Sequence, residues 1–217
     1  MKTVLPFLRD LEKNNNREWF NANKEKYLIA KKEYEAFIDS LIPGLQLFDP
    51  LVAGATAKNT VFRIYRDVRF SRDKSPYKTH MGAYMIGGGR KSKLPGYYFH
   101  VQPGGSFIAG GMYAPDPGSL KRIRKEISTF PDDIEGIITN PSFSKNYSLY
   151  EEDRLKRPPQ GFSADTDLIE LIKNKHFIAT KEIPDNWIEA HGLRDRLLEL
   201  CRGMLPFNQF LYRAIAE

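Results

Sequence analysis

The chain has 217 residues and a formal net charge of +6, with 41% hydrophobic and 12% aromatic residues, enough apolar surface for a packed core. No apolar run approaches the roughly 18 residues of a membrane span, and the N-terminus lacks a signal-peptide apolar region, so no membrane partner and a cytoplasmic location are expected. The lone cysteine, Cys201, excludes an intrachain disulfide and zinc sites built from cysteine clusters; set in LLELCRGML, it reads as a buried thiol.

Residues 4–13 read as a short amphipathic helix that Thr3 caps, and Asn14-Asn15-Asn16 as a turn. A long helix is predicted over 17–41, with Trp19, Phe20, Tyr27, Ala30, Tyr34, Phe37, Ile38 and Leu41 on its apolar side, ended by Pro43-Gly44. Residues 60–70, 81–87, 96–102 and 105–113 are rich in β-branched and aromatic residues and punctuated by glycine; they are read as four strands. Their short connections imply antiparallel neighbours. Asp116-Pro117 opens a helix to about 129 with Leu120, Ile123 and Ile127 as its stripe, and a second follows Pro131. Residues 140–163 look irregular, Ser163 starts a helix to about 175, and 177–183 suits a short strand. From Asp185 on the pattern is helical, with a break expected near Leu205-Pro206. The expectation is one α+β domain over residues 1–217, a central antiparallel sheet flanked by N-terminal and C-terminal helices.

The positive charge is local. Residues 58–93 hold ten lysines and arginines against Asp67 and Asp73, while the rest of the chain is slightly acidic. Such an imbalance suits an anionic partner better than a generally sticky surface. At its centre lies FRIYRDVRFSRDKSPYKTH, residues 62–80. Strand alternation puts Phe62, Ile64, Arg66, Val68 and Phe70 on one face and Arg63, Tyr65, Asp67 and Arg69 on the other. Asp67 is then placed to brace one or both of Arg63 and Arg69, whose planar forks match carboxylate and phosphate oxygens. Arg66, on the apolar face, needs a counter-charge, and Asp73 is a candidate. Residues 71–78 read as a loop at the strand end, where Lys74, Tyr77 and Lys78 complete an anion pocket.

That segment resembles the signature of a bacterial family, the domain of unknown function numbered 2461. The pattern is Arg-x-x-Arg-Asp-x-Arg-Phe followed by Asp-Lys-x-x-Tyr, met here by Arg63, Arg66, Asp67, Arg69, Phe70, Asp73, Lys74 and Tyr77. The likeness extends to FLRDLEKNNNREWFNANKEKY and GYYFHVQPGGSFIAGGMYAPDP and so spans most of the chain; His80 lies outside the signature. The resemblance implies that the cluster is the functional site, with Arg17 or Asn16 adjoining it, and implies no particular chemistry.

Other motifs are weak. His80, His100, His176 and His191 share no ligand spacing, so no metal site is expected. IGGGRKSK lacks phosphate-loop spacing and reads as a hairpin turn, and no cofactor fingerprint or nucleophile elbow exists, so no cofactor is expected and no reaction is named. His100 shares a strand face with Tyr98 and Gln102 and is a candidate proton carrier or polar ligand contact. Three readings stay open. In the first, Arg63, Arg66 and Arg69 hold a phosphorylated or carboxylated small molecule. In the second, Tyr65, Phe70, Tyr77 and Tyr84 interleave with the cations to bind nucleic acid. In the third, the cluster is an ion-pair network, with carboxylates such as Glu12 or Glu18 completing it.

Overall fold

The computed structural model describes residues 1–216. In chain order the helices are α1 (Val4–Lys13), α2 (Arg17–Ala22), α3 (Lys24–Gln46) and α4 (Ala57–Thr60), then, after the first three strands, α5 (Pro117–Thr129), α6 (Pro131–Ile138), α7 (Pro141–Ser144), α8 (Ile169–Ile172), α9 (Asp185–Glu189) and α10 (Leu193–Ala216). The strands are β1 (Met81–Met85), β2 (Gly96–Val101), β3 (Phe107–Met112), β4 (Ser148–Leu149) and β5 (Phe177–Glu182). They form one antiparallel sheet in the order β1-β2-β3-β5-β4, with Ser148 opposite Thr180 and Leu149 opposite Ala179. The α+β expectation holds. Among the described residues, no helix is long and apolar enough to cross a membrane.

The residues group into two compact units. One takes Met1–Ser92, Tyr98–Ile108 and Glu182–Glu199; the other takes Lys93–Tyr97, Ala109–Lys181 and the chain from Leu200 on.

In the first unit α1 buries Val4, Leu5, Phe7, Leu8 and Leu11 completely or nearly so, as its spacing predicts. Thr3 does not cap it through its side chain. Instead the Glu33 carboxylate of α3 accepts from the Lys2 and Thr3 N–H groups (2.8 Å each) and from the Thr3 hydroxyl. These donors hold the Glu33 carboxyl below its usual range against the opposing effect of burial, and they satisfy exposed backbone groups ahead of the helix. The predicted long helix is two. Asn16 caps α2 by accepting from the Trp19 N–H, and Asn23 separates α2 from α3, its side chain donating to the Trp19 carbonyl. Pro43-Gly44 does not end α3, which runs on to Gln46. Proline costs about 3 kcal/mol inside a helix, but the flanking Leu41, Ile42 and Leu45 are all buried, at roughly 1.5–3 kcal/mol each. Gly44 suits the site because a Cβ there would lie 2.5 Å from the Leu198 side chain. Tyr34 of α3 donates to the Phe99 carbonyl of β2, tying helix to sheet.

In the second unit the predicted break at Leu205-Pro206 does not occur. Helix α10 continues through Pro206 because Phe207, Phe210 and Leu211 are buried beyond it. Asp116 caps α5, accepting from the Gly118 and Ser119 N–H groups, and Ile123 and Ile127 are buried while Leu120 is only partly so. Residues 163–168 form turns, leaving only α8 of the helix predicted to start at Ser163. Cys201 is buried, and burial pushes its thiol pKa up, as expected of an inert core thiol.

Candidate functional site

Residues 60–70 are not a strand. They are the outgoing limb of an arm, residues 62–80, that leaves the sheet beside β1 and returns to it. Only isolated antiparallel bridges join the limbs, Val61 to Ala83 and Tyr65 to Tyr77. Between them lie three residues on the outgoing limb and five on the return limb, so the ladder cannot stay in register. Pro76 has no N–H to give, although its carbonyl accepts from the Arg66 N–H at 3.0 Å. The predicted alternation partly survives without the ladder: Ile64 is buried and Arg66 and Val68 half-buried, whereas Arg63, Tyr65, Asp67 and Arg69 are exposed.

The root of the arm is fixed to the helices. Asn15, in the turn after α1, donates to the Tyr77 carbonyl (2.9 Å) and accepts from the Tyr77 N–H (3.1 Å). The Tyr77 ring stacks on Phe20 of α2 with centroids 3.9 Å apart and planes at 13°. Tyr65 packs on both rings, and Phe7 and Tyr27 extend the cluster. Tyr77 is therefore a buried anchor whose backbone and ring are both held; burial also raises its phenol pKa.

Beyond the root the two acidic residues are consumed inside the arm. Asp67 takes Arg69 in a two-pronged pair, Nε to Oδ1 at 2.9 Å and Nη2 to Oδ2 at 2.6 Å. The Arg69 guanidinium holds the Asp67 carboxyl below the usual carboxylate range. Asp73 accepts from the Ser75 hydroxyl and N–H and pairs with Arg66, and these donors, Ser75 first, hold its carboxyl far down. Lys74 donates to the Val68 carbonyl at 3.0 Å, tying the tip of the arm. Arg63 makes no hydrogen bond or ion pair among the described residues, and neither does Arg72.

An open depression lies at the foot of the arm. It is lined by the return limb from Tyr77 to His80, by Arg66, Asp73 and Ser75, and by Glu12 and Asn15 from the end of α1 and the turn beyond it. Lys78 is half-buried there. Its N–H donates to the Ile64 carbonyl at 2.8 Å, but its ammonium makes no ion pair or hydrogen bond among the described residues and lies 5.4 Å from the Phe62 ring centroid. Burial, and after it the nearby Arg63 charge, lowers the Lys78 pKa.

His80 also faces the depression with neither ring nitrogen hydrogen-bonded among the described residues. Its pKa is lowered to about 3, first by burial and then by His100, Lys78 and Arg66, so it is neutral at physiological pH. The His100 ring lies tilted against it, centroids 4.3 Å apart, and stacks on Phe107 at 4.6 Å. The His100 nitrogens are both occupied, Nδ1 by the Tyr98 hydroxyl and Nε2 by Gln102 Oε1, each at 3.0 Å. Gln102 Oε1 can only accept, so Nε2 carries the proton and the Tyr98 hydroxyl donates to Nδ1. Gly82 makes room for that phenol: a Cβ there would lie 2.3 Å from the Tyr98 oxygen.

Of the sequence-predicted site residues, the fold brings Arg66, Asp73, Tyr77 and Lys78 together. Arg63, Asp67, Arg69 and Lys74 stand along the arm outside the depression, and His100 lies behind His80 with no free nitrogen. His80, Asn15, Ser75 and Thr79 were not singled out as site residues. Glu12, foreseen only as a neutralising carboxylate, does reach the lining. Asn16 caps α2 instead of touching the site, while the Arg17 charge is near enough to lower the Tyr77 pKa slightly. The missed residues carry no charge pattern of their own; only the fold places them.

The model of a family described as Conserved hypothetical protein (DUF2461) matches residues 3–210. No curated protein and no solved structure matches the chain. The matched stretch takes in the arm, the helices that anchor its root and the strands beneath it, so the likeness covers the whole setting of the depression: the chain belongs to the DUF2461 family of conserved hypothetical proteins.

Proposed function

We propose that the arm and the depression at its foot bind an anionic ligand, a phosphorylated or carboxylated molecule. Lys78 carries this reading. A half-buried ammonium with a lowered pKa and no counter-charge is disfavoured in the free protein, and a bound anion supplies what it lacks. Arg63 stands nearby, its guanidinium making no hydrogen bond or ion pair among the described residues, and Arg66 presents further donors from the same lining. The lining carboxylate Asp73 is already occupied by Ser75 and Arg66, which leaves Glu12 as the one acidic group there without a partner among the described residues. Neutral His80 adds a ring nitrogen able to donate to, or accept from, a ligand.

Calorimetric titration with inorganic phosphate tests the reading. Wild-type protein should bind, and Lys78→Met should lose at least tenfold in affinity while melting no lower. Affinity should fall as pH rises, since only protonated Lys78 attracts the anion. Absence of phosphate binding, or undiminished binding by Lys78→Met, contradicts it.

A further inference from the structure

The depression uses only part of the arm. An isolated phosphate or carboxylate there leaves Arg63, Arg69, Arg72 and Lys74 standing outside it. It also leaves three aromatic rings in solvent: Phe70 is 96% exposed, Tyr65 48% and Phe62 37%. Each of these rings is next in sequence to an arginine, Phe62 to Arg63, Tyr65 to Arg66 and Phe70 to Arg69. The Arg69 guanidinium lies 5.9 Å from the Phe70 ring. Rings and cations are therefore interspersed from the root of the arm to its tip.

We infer that the anion is the backbone of a single-stranded nucleic acid, with phosphates on the arm's cations and unstacked bases on its exposed rings. This rests on the anion-binding reading above and names the class of ligand. Base-sized flat surfaces interspersed with charges along one arm suit such a strand, which needs both. A duplex fits less well, because its bases are already stacked and the arm carries no helix or paired strand ladder to enter a groove. A membrane surface fits less well too, because it would gather the apolar rings at the tip, whereas Phe62 and Tyr65 lie near the root.

Fluorescence anisotropy with a labelled oligothymidylate of about 20 nucleotides tests this. The wild-type protein should bind at low salt and weaken steeply as salt is added, with a log–log slope of about −0.7 per phosphate contacted. Phe70→Ala should lose about five- to 150-fold for one stacked base. The exposed Phe70 makes this variant safe for folding. Arg72→Ala should make the slope shallower by about 0.7. No binding at low salt, or full affinity in Phe70→Ala, overturns the inference. So does Phe70-dependent binding to phosphatidylserine vesicles that matches or exceeds oligonucleotide binding. Parallel titration with inorganic phosphate separates the two proposals: phosphate binding without oligonucleotide binding removes only the nucleic-acid inference, and failure of both removes the anion site as well.

Discussion

Two polar clusters, one in each unit, invite comparison. Around His176, every group is answered. Its Nδ1 accepts from the Ala114 N–H at 2.9 Å, its Nε2 faces Asp153 at 3.8 Å, Tyr113 stacks on its ring at 4.4 Å, and Lys175 holds the same Asp153 at 2.7 Å. In the same unit Arg213 reaches Glu126 and Asp133 at 2.7 Å each. On the arm, by contrast, two carboxylates are used up by two arginines, and the side chains of Lys78, Arg63, Arg72 and His80 are left without hydrogen-bond or ion-pair partners among the described residues. Clusters that close upon themselves hold a fold together. Half-buried groups left open point to a ligand. The arm also differs within itself, since its root is tightly packed and its tip is not.

The largest effect expected is at the root. Tyr77→Ala removes the ring stacked on Phe20 and should destabilise the protein by about 3–5 kcal/mol in denaturant melts; a value near zero would show that the root is as open as the tip. His80 gives the next. Its folded pKa of about 3 lies below its unfolded value, so the unfolded chain binds the proton first. Stability should fall as pH drops from about 6.5 towards 3, by about 2 kcal/mol at pH 5 from this group. His80→Phe should flatten that part of the pH profile, and an unchanged slope would place the imidazole in contact with solvent. Asn15→Ala strands the Tyr77 N–H and should cost about 1–3 kcal/mol. The smallest effects sharpen the contrast between the units: Arg213→Ala should lose about 1 kcal/mol, whereas Arg63→Ala should melt with the wild type. Equal losses at both positions would abolish the distinction.

Where one local force dominates, the residues announce their structure. The apolar spacing of 4–13, the glycine-bounded runs that became β1, β2 and β3, and the Asp116-Pro117 start of α5 are all of this kind. The failures come where distant packing overrides a local signal. Pro43 and Pro206 sit inside helices because the buried residues around them outweigh the proline cost. Residues 60–70 have strand composition and a trace of strand alternation, but their returning partner is two residues too long for a ladder. At the site, the charge count located the arm, and the pairing of Arg66 with Asp73 was foreseen because an arginine on an apolar face needs an anion. Bracing of Arg63 by Asp67 is equally reasonable on spacing, yet the Asp67 hydrogen bonds go to Arg69, and Arg63 acts on it only through its charge. His80 was invisible because nothing in its neighbours reveals that His100 lies beneath it and Lys78 beside it.

Lys78 is proposed to be a cation awaiting its anion, and its own titration bears on that proposal at first hand. NMR of the side-chain ammonium, in the free protein and in saturating inorganic phosphate, reads the pKa in both states. A value below that of an ordinary lysine is expected in the free protein, with a rise on adding phosphate. An ordinary value that phosphate leaves unchanged would contradict it.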